Sequence, residues 1–368
     1  MCERVTSKSA TAVELCAAGV GGWQRGVLLM ATLLGLPFLL LGAGPVRAAT
    51  LGDRSGLYVY EGNDNRIDQY DTVSGAFVGT VWDTSWGSDQ SYGWIASRGD
   101  MAWTPSGTLL VTVGGNNVTV FPGVVEIDPK TGNVIKKLDL SYQPTDVVLD
   151  ANGHIFVTGW DTTTVQEYDW NTGFIVKTYA PNVWYRPSGL VVDEARNSLW
   201  VYSYWSAGAN YSALHQFDLT SGQLLNRYVN TSFLPSYART GILLAPNGML
   251  YLATSQVGPV VEFDPDAGVF TRAFSGGISY AEDIALGPNN TLYAVESGTG
   301  TIAAYDIATG QVIDPAFVMT GGSSTSGLLT DPLTLLAVPE PSGVALTALA
   351  LFTGAARLVH RRRRARYA

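Results

Sequence analysis

The chain has 368 residues, with 41 Gly, 18 Tyr and 10 Trp against only 14% charged residues, a balance that excludes disorder and helical bundles and favours turn-rich, aromatic strands. The net charge of −9 conceals a sharper asymmetry, because residues 49–338 carry 12 Lys and Arg against 28 Asp and Glu. So acidic a body argues against nucleic acid and anionic lipid as direct partners. Both cysteines, Cys2 and Cys16, precede the first apolar run, so a product cut after that run folds without disulfides. About 290 residues are enough to bury roughly three quarters of the unfolded surface, and a core can take the place of crosslinks.

Arg25 stands before the apolar run Val27 to Leu41, which gives way to the helix breakers Gly42, Gly44 and Pro45 and then to Val46-Arg47-Ala48. A charged start, a short apolar run and a small-residue site predict a signal peptide over residues 1–48, cut after Ala48. The run is short for a membrane span of about 20 residues, and no Cys follows it to accept a lipid.

From residue 49 the chain repeats itself. One unit is an alternating strand, an Asp, a short spacer, a Gly and another strand: Ile67 to Asp71 with Gly75, Val125 to Asp128 with Gly132, Val165 to Asp169 with Gly173. It returns as Leu214 to Asp218 with Gly222, Val261 to Asp264 with Gly268, and Ile302 to Asp306 with Gly310. The glycines are 57, 41, 49, 46 and 42 residues apart, the period of a four-stranded propeller blade. Between these copies lie pairs of apolar strands joined by polar turns such as Asn152-Gly153 and Asn247-Gly248, a hairpin signal. Six copies predict an all-β, six-bladed β-propeller over residues 49–338.

The first copy, beginning at Leu57, lacks an inner strand, and Gly327-Leu328-Leu329 is an inner strand with no blade after it. The C-terminal strand is therefore expected to complete blade one and close the ring, which removes open sheet edges. In pattern the repeats resemble NHL-type and lyase- or lactonase-like propellers, a resemblance that implies a fold and no particular activity.

Short turns mark one face of such a propeller and long loops the other. The long loops carry Trp82, Trp86, Trp94, Trp160, Trp184, Tyr185 and Trp205, candidate platforms for sugar rings or peptide side chains. The inner-strand starts align as a column, Asp100, Asp146, Gly189, Gly241, Asp283 and Gly327, with Arg98, Arg186, Arg239 and Glu282 just upstream. These groups are expected around the channel mouth on the loop face, where they could pair with one another, orient a polar ligand, or hold calcium at Asp100, Asp146 and Asp283. His154 and His215 are the body's two histidines, too few for a multi-histidine metal centre, and the body has no Cys nucleophile. No catalytic residue emerges from the sequence.

At the C-terminus, Val338-Pro339-Glu340-Pro341-Ser342 precedes an apolar stretch from Val344 to Ala356, then Arg357 and the cluster Arg361, Arg362, Arg363 and Arg364. The arginines would stay cytoplasmic and leave the body across the membrane, in agreement with the signal peptide. Residues 339–368 resemble the PEP-CTERM sorting signal of bacteria that make exopolysaccharide. That resemblance implies an exosortase-type transpeptidase acting at Pro339-Glu340-Pro341, a transient transmembrane segment, and a body released to or attached at the cell surface; the alternative is a permanent anchor.

The expected function is an exported surface or matrix propeller with a binding or structural role, its ligand exopolysaccharide or a surface protein. A calcium-dependent extracellular hydrolase or lyase and a protein-assembly scaffold are the alternatives.

Overall fold

Each of the six Asp-to-Gly segments is a tight turn between antiparallel strands in the computed structural model, and similar hydrogen bonds build them all. At Asp169 the carboxylate Oδ1 accepts the N–H of Asn171 at 2.8 Å and of Thr172 at 3.1 Å, while the Gly173 N–H donates to the Asp169 carbonyl at 2.8 Å. Gly173 has φ 75°, a left-handed conformation that glycine adopts without a Cβ clash. Asp71, Asp128, Asp218, Asp264 and Asp306 accept the following N–H groups in the same manner. A register shift precedes every one of these turns, as a G1-type bulge requires.

The structure describes residues 50–61, 66–83, 99–114, 122–159, 162–180, 185–205, 212–230, 232–234, 241–254, 258–321 and 325–329. Blade 1 contains β1 (Gly56–Glu61), β2 (Arg66–Asp71) and β3 (Phe77–Asp83), and blade 2 contains β4 (Met101–Trp103), β5 (Leu109–Val113), β6 (Gly123–Ile127) and β7 (Val134–Asp139). Blade 3 follows with β8 (Pro144–Leu149), β9 (His154–Gly159), β10 (Val165–Asp169) and β11 (Ile175–Tyr179). Blade 4 has β12 (Tyr185–Asp193), β13 (Ser198–Trp205), β14 (Ser212–Asp218) and β15 (Leu224–Tyr228). Blade 5 has β16 (Ile242–Leu244), β17 (Leu250–Ala253), β18 (Val260–Asp264) and β19 (Val269–Ala273). Blade 6 has β20 (Asp283–Leu286), β21 (Thr291–Glu296), β22 (Thr301–Asp306) and β23 (Val312–Met319), and β24 (Thr325–Leu329) ends the described chain.

Every sheet is four-stranded and antiparallel, and the first has the order β24-β1-β2-β3. The C-terminal strand thus closes blade 1, with Tyr58 opposite Leu329, Val59 opposite Leu328 and Tyr60 opposite Gly327. Glycine is needed at 327 because a Cβ there would lie 2.9 Å from the Gly99 carbonyl oxygen and 3.0 Å from Tyr60 Cβ. The whole is a six-bladed β-propeller.

The core lies between blades. Tyr179 of blade 3 meets Phe217 of blade 4 edge-on at 5.7 Å, and Trp200 of blade 4 meets Phe263 of blade 5 at the same distance. A separate buried cluster fills each of the six junctions, including the one between blade 6 and blade 1, where Tyr293 and Val295 pack with Leu57, Val59 and Leu328.

A polar clip spans each junction as well. Tyr60 donates to the Thr112 carbonyl, Lys136 to the carbonyls of Trp170 and Asn171, and Lys177 to those of Leu219 and Thr220. Arg196 forms a two-pronged pair with Asp266, Arg272 donates to the Ala308 carbonyl, and Tyr293 donates to the Thr72 carbonyl. A backbone carbonyl has two lone pairs, so one with a lone pair to spare is satisfied by a cation or phenol from the preceding blade, which fixes the blade angle.

Leu328→Ala should lower stability by about 2–4 kcal/mol, the range for a buried leucine whose site cannot collapse. A chain ended after residue 324 should lose its cooperative transition. Thermal denaturation followed by circular dichroism tests both, and an unchanged melting temperature in either would show that the ring does not depend on β24.

Candidate functional site

Each inner strand starts at the face of the long loops and runs toward the short turns, so the six starts surround one mouth of a central channel. The channel has about 360 Å³ of room. Its wall is mainly aliphatic, with Ala102, Val147, Leu190, Ile242, Ile284 and Leu328 each from a different blade. Asp100 and Asp283 line the mouth, while Arg54 and Trp103 line the far end, the Arg54 guanidinium 5.1 Å from the centre of the Trp103 ring.

The column residues hold the mouth together through their backbones. Asp283 Oδ1 accepts its own neighbour's N–H, from Ile284 at 2.8 Å, and Oδ2 accepts the Leu328 N–H of blade 1 at 2.6 Å. Asp146 Oδ2 accepts the Leu190 N–H of blade 4 at 2.5 Å, and Asp100 Oδ1 accepts the Met101 N–H at 2.7 Å. Each donor across a junction is the residue after a column glycine, Gly189 or Gly327. The signal was present in the sequence as Gly-Leu following the column, though its meaning as a donor to the preceding blade's carboxyl depends on the ring.

Asp100, Asp146 and Asp283 are brought close enough to act on one another. Asp146 and Asp283 are 1% and 3% exposed, while Asp100 is partly open to solvent. Burial first, then the charge of Asp146, holds the Asp100 carboxyl well above the usual carboxylate range; burial and the charge of Asp100 do the same for Asp283, with a smaller push from Glu282. Burial pushes Asp146 up to about 7, helped by the charge of Asp283 and opposed by the hydrogen bond from the Leu190 N–H. Asp146 Oδ1 is buried with no donor.

Glu282 is buried, and its carbonyl accepts the Gly241 N–H across the junction of blades 5 and 6 at 3.1 Å. Arg186 is half-buried on β12, in register with Tyr204. Arg98 and Arg239 lie outside the described residues. Among the described residues no group of three or more His, Cys, Asp and Glu side chains is placed to hold a metal ion.

Trp82 is not a ligand platform. It is 4% exposed and packs with Val81, Met101 and Val111 in the junction of blades 1 and 2. Its position on β3 faces Ile67, and Tyr179 and Tyr228 occupy the equivalent register opposite Val165 and Leu214, so it belongs to a repeating inter-blade aromatic. A second register shift within β3, at Ile67/Asp68, displaces Trp82 by one residue along the chain and hides the equivalence in the sequence. Trp86, Trp94, Trp160 and Trp184 lie outside the described residues, as do Pro339, Glu340, Pro341, the segment from Val344 to Ala356 and Arg361 to Arg364. Tyr185 and Trp205 are paired in backbone register at the open end of β12 and β13. Among the described residues no helix is long and apolar enough to cross a membrane.

The two histidines are apart in role. His154 Nδ1 is 2.7 Å from Glu167 Oε1, and Glu167 Oε2 accepts the Tyr179 hydroxyl at 2.7 Å. His215 is fully buried 3.0 Å from Ser203 Oγ, and desolvation lowers its pKa to about 4, so the ring is neutral. The Ser203 hydroxyl is equally buried, which keeps this serine and histidine from any substrate.

No family model matches the chain, and no curated protein matches it. The fold is similar to a chain in the crystal structure of a nidogen/laminin complex, with a TM-score of 0.59 and 13% identity over 74% of this chain and 97% of that one. It is also similar to a chain of Kuenenia stuttgartiensis hydrazine synthase, with a TM-score of 0.51 and 16% identity over 72% of this chain and 77% of that one. At such identities the likeness shows the propeller fold and carries no activity across.

Because the Asp146 carboxyl binds its proton more tightly folded than unfolded, its contribution to stability should be fully present below about pH 4 and be lost as pH rises toward about 7, with Asp100 and Asp283 acting in the same direction. Asp146→Asn should remove much of that slope, a difference on the order of a few kcal/mol between the two ends of the window. Denaturant melts from pH 4 to pH 8 on both proteins test this, and parallel curves would overturn the assignment.

Proposed function

We propose that this chain is an exported cell-surface or matrix component whose propeller binds a ligand, or joins other surface molecules, on the face of the long loops. The observation that carries the reading is the channel mouth: carboxyls from three blades, two of them buried, on the side where the aromatic-rich loops emerge. A concave, mainly apolar channel with a few convergent polar groups is the usual form of a binding site. Among the described residues the buried Ser203 and His215 pair is closed to solvent, so it is not placed to act on a ligand in the channel.

Export rests on the sequence of both ends. The signal peptide directs residues 49–338 across the membrane, and the Pro339-Glu340-Pro341 motif with its apolar segment and arginine cluster makes the body a substrate for an exosortase-type transpeptidase. Partners on the outside are then exopolysaccharide or surface proteins.

Replacing Glu340 by Ala in the native host should leave a membrane-retained form of unprocessed mass; mature protein of normal mass outside the cell would sink the sorting assignment. Calorimetry with host exopolysaccharide tests the face itself. Trp86→Ala and Trp184→Ala should each weaken binding by about 1–3 kcal/mol, the scale of a lost aromatic platform. If the parent gives no heat and neither change matters, the glycan reading is abandoned.

A further inference from the structure

We infer that the channel takes an amphipathic organic cation, a primary ammonium on an apolar body, with the ammonium at Asp100 and Asp283 and the body along the inner strands. This deepens the reading of the loop face as the binding face and rests on it.

The carboxyls have used their backbone donors, and one acceptor is still unmet. Leu190, Leu328, Met101 and Ile284 supply N–H groups to one oxygen each, yet Asp146 Oδ1, in a side chain 1% exposed, is left with no donor. Asp100, on the neighbouring blade, and Asp283 are the carboxyls that line the channel itself, and Asp100 is the one partly open to solvent. An unmet acceptor in so dry a place is expensive, and three acids together add mutual repulsion. A proton relieves part of this, and a cation seated at Asp100 and Asp283, the two carboxyls that line the channel, relieves the mutual repulsion further.

The form of the cation follows from the surroundings. Calcium requires about six to eight oxygen ligands converging on one point, and the described carboxyls are not gathered in that way. An ammonium has three separate N–H donors and is served by acceptors on different blades. Beyond the carboxyls the wall offers Ala102, Val147, Leu190, Ile242 and Ile284, which can meet a hydrocarbon and cannot meet sugar hydroxyls. At the far end the Arg54 guanidinium over Trp103 repels a second positive charge, so a monoamine should be preferred to a diamine of equal length. Glu282, adjacent to Asp283, adds negative charge at the mouth; Arg186 stands on β12, and Arg98 and Arg239 lie outside the described residues.

The full chain, purified in a nonionic detergent, should be titrated by calorimetry with hexylamine, hexan-1-ol, 1,6-diaminohexane and calcium chloride at pH 8 and pH 5. Hexylamine should bind at pH 8 on the order of tenfold or more tighter than hexan-1-ol or the diamine, weaken by a similar factor at pH 5, and release protons on binding. Asp283→Asn and Asp146→Asn should remove the preference for the amine over the alcohol. Ala102→Leu, which narrows the wall without touching a carboxyl, should weaken amine and alcohol alike. Equal binding of hexylamine and hexan-1-ol, a calcium response lost in the Asp variants without an amine response, or unchanged amine affinity in those variants would each overturn the inference. If exopolysaccharide binds the same preparation while hexylamine does not, this inference alone fails; if neither binds, the reading of the face fails with it.

Discussion

Closure of the ring is the constraint from which the remaining features follow. A propeller blade has two apolar faces, and each is covered only by the next blade, so the six junction clusters depend on one another around the circle. The chain closes the circle by pairing β24 with β1, and Thr325 donates to Glu61 Oε2 at 3.0 Å across almost the whole length of the body. Joining ends so far apart costs more loop entropy than any other pairing in the fold, although that cost grows only logarithmically with length. The clips at every junction oppose opening: three amino or guanidinium groups on turn carbonyls, one arginine on an aspartate, and two phenols on carbonyls.

Closure also decides what can stand at the channel mouth. Neighbouring inner strands approach so closely there that a Cβ on Gly241 would lie 2.7 Å from both the Cα and Oδ1 of Asp283. Glycine beside aspartate is the arrangement that fits: Asp283 stands between Gly241 and Gly327, and Asp146 stands beside Gly189. The junction of blades 4 and 5 sets Gly189 beside Gly241, and the junction of blades 2 and 3 is where Asp100 and Asp146 are neighbours without a glycine between them. That is where two carboxyls stand on adjacent blades, and where burial and the like charge of Asp146 together lift the proton affinity of Asp100.

Much of the fold could be read in the sequence because each blade is specified locally. An Asp, a short spacer and a Gly encode a turn whose hydrogen bonds lie within five residues, and the repeat period then counts the blades. The missing inner strand at Leu57 and the orphan at Leu328 gave the closure by the same logic. What could not be read depends on contacts between blades. Lys136, Lys177 and Arg272 each follow their turn glycine by four residues, a periodicity visible in the chain, but nothing local says that their partners are the carbonyls of the next blade. Trp82 illustrates the limit: its chain position, shifted by a bulge, suggested a loop, while its register opposite Ile67 puts it among the junction aromatics. The strength of the column's electrostatics arises from burial, which a sequence does not state.

The acids at the mouth are more than the fold itself requires. Three of six blades start their inner strand with glycine at the same place and still pack, so a charge is not needed there for closure. Asp146 and Asp283 do latch the next blade through the N–H groups of Leu190 and Leu328, yet the carbonyl of an asparagine could accept the same bond without a charge to desolvate. A neutral amide would also remove the repulsion between Asp100 and Asp146. Carboxyls held in this position therefore reduce stability at neutral pH relative to the amides that could replace them, and a site that departs from its most stable form in this way is where function is to be sought.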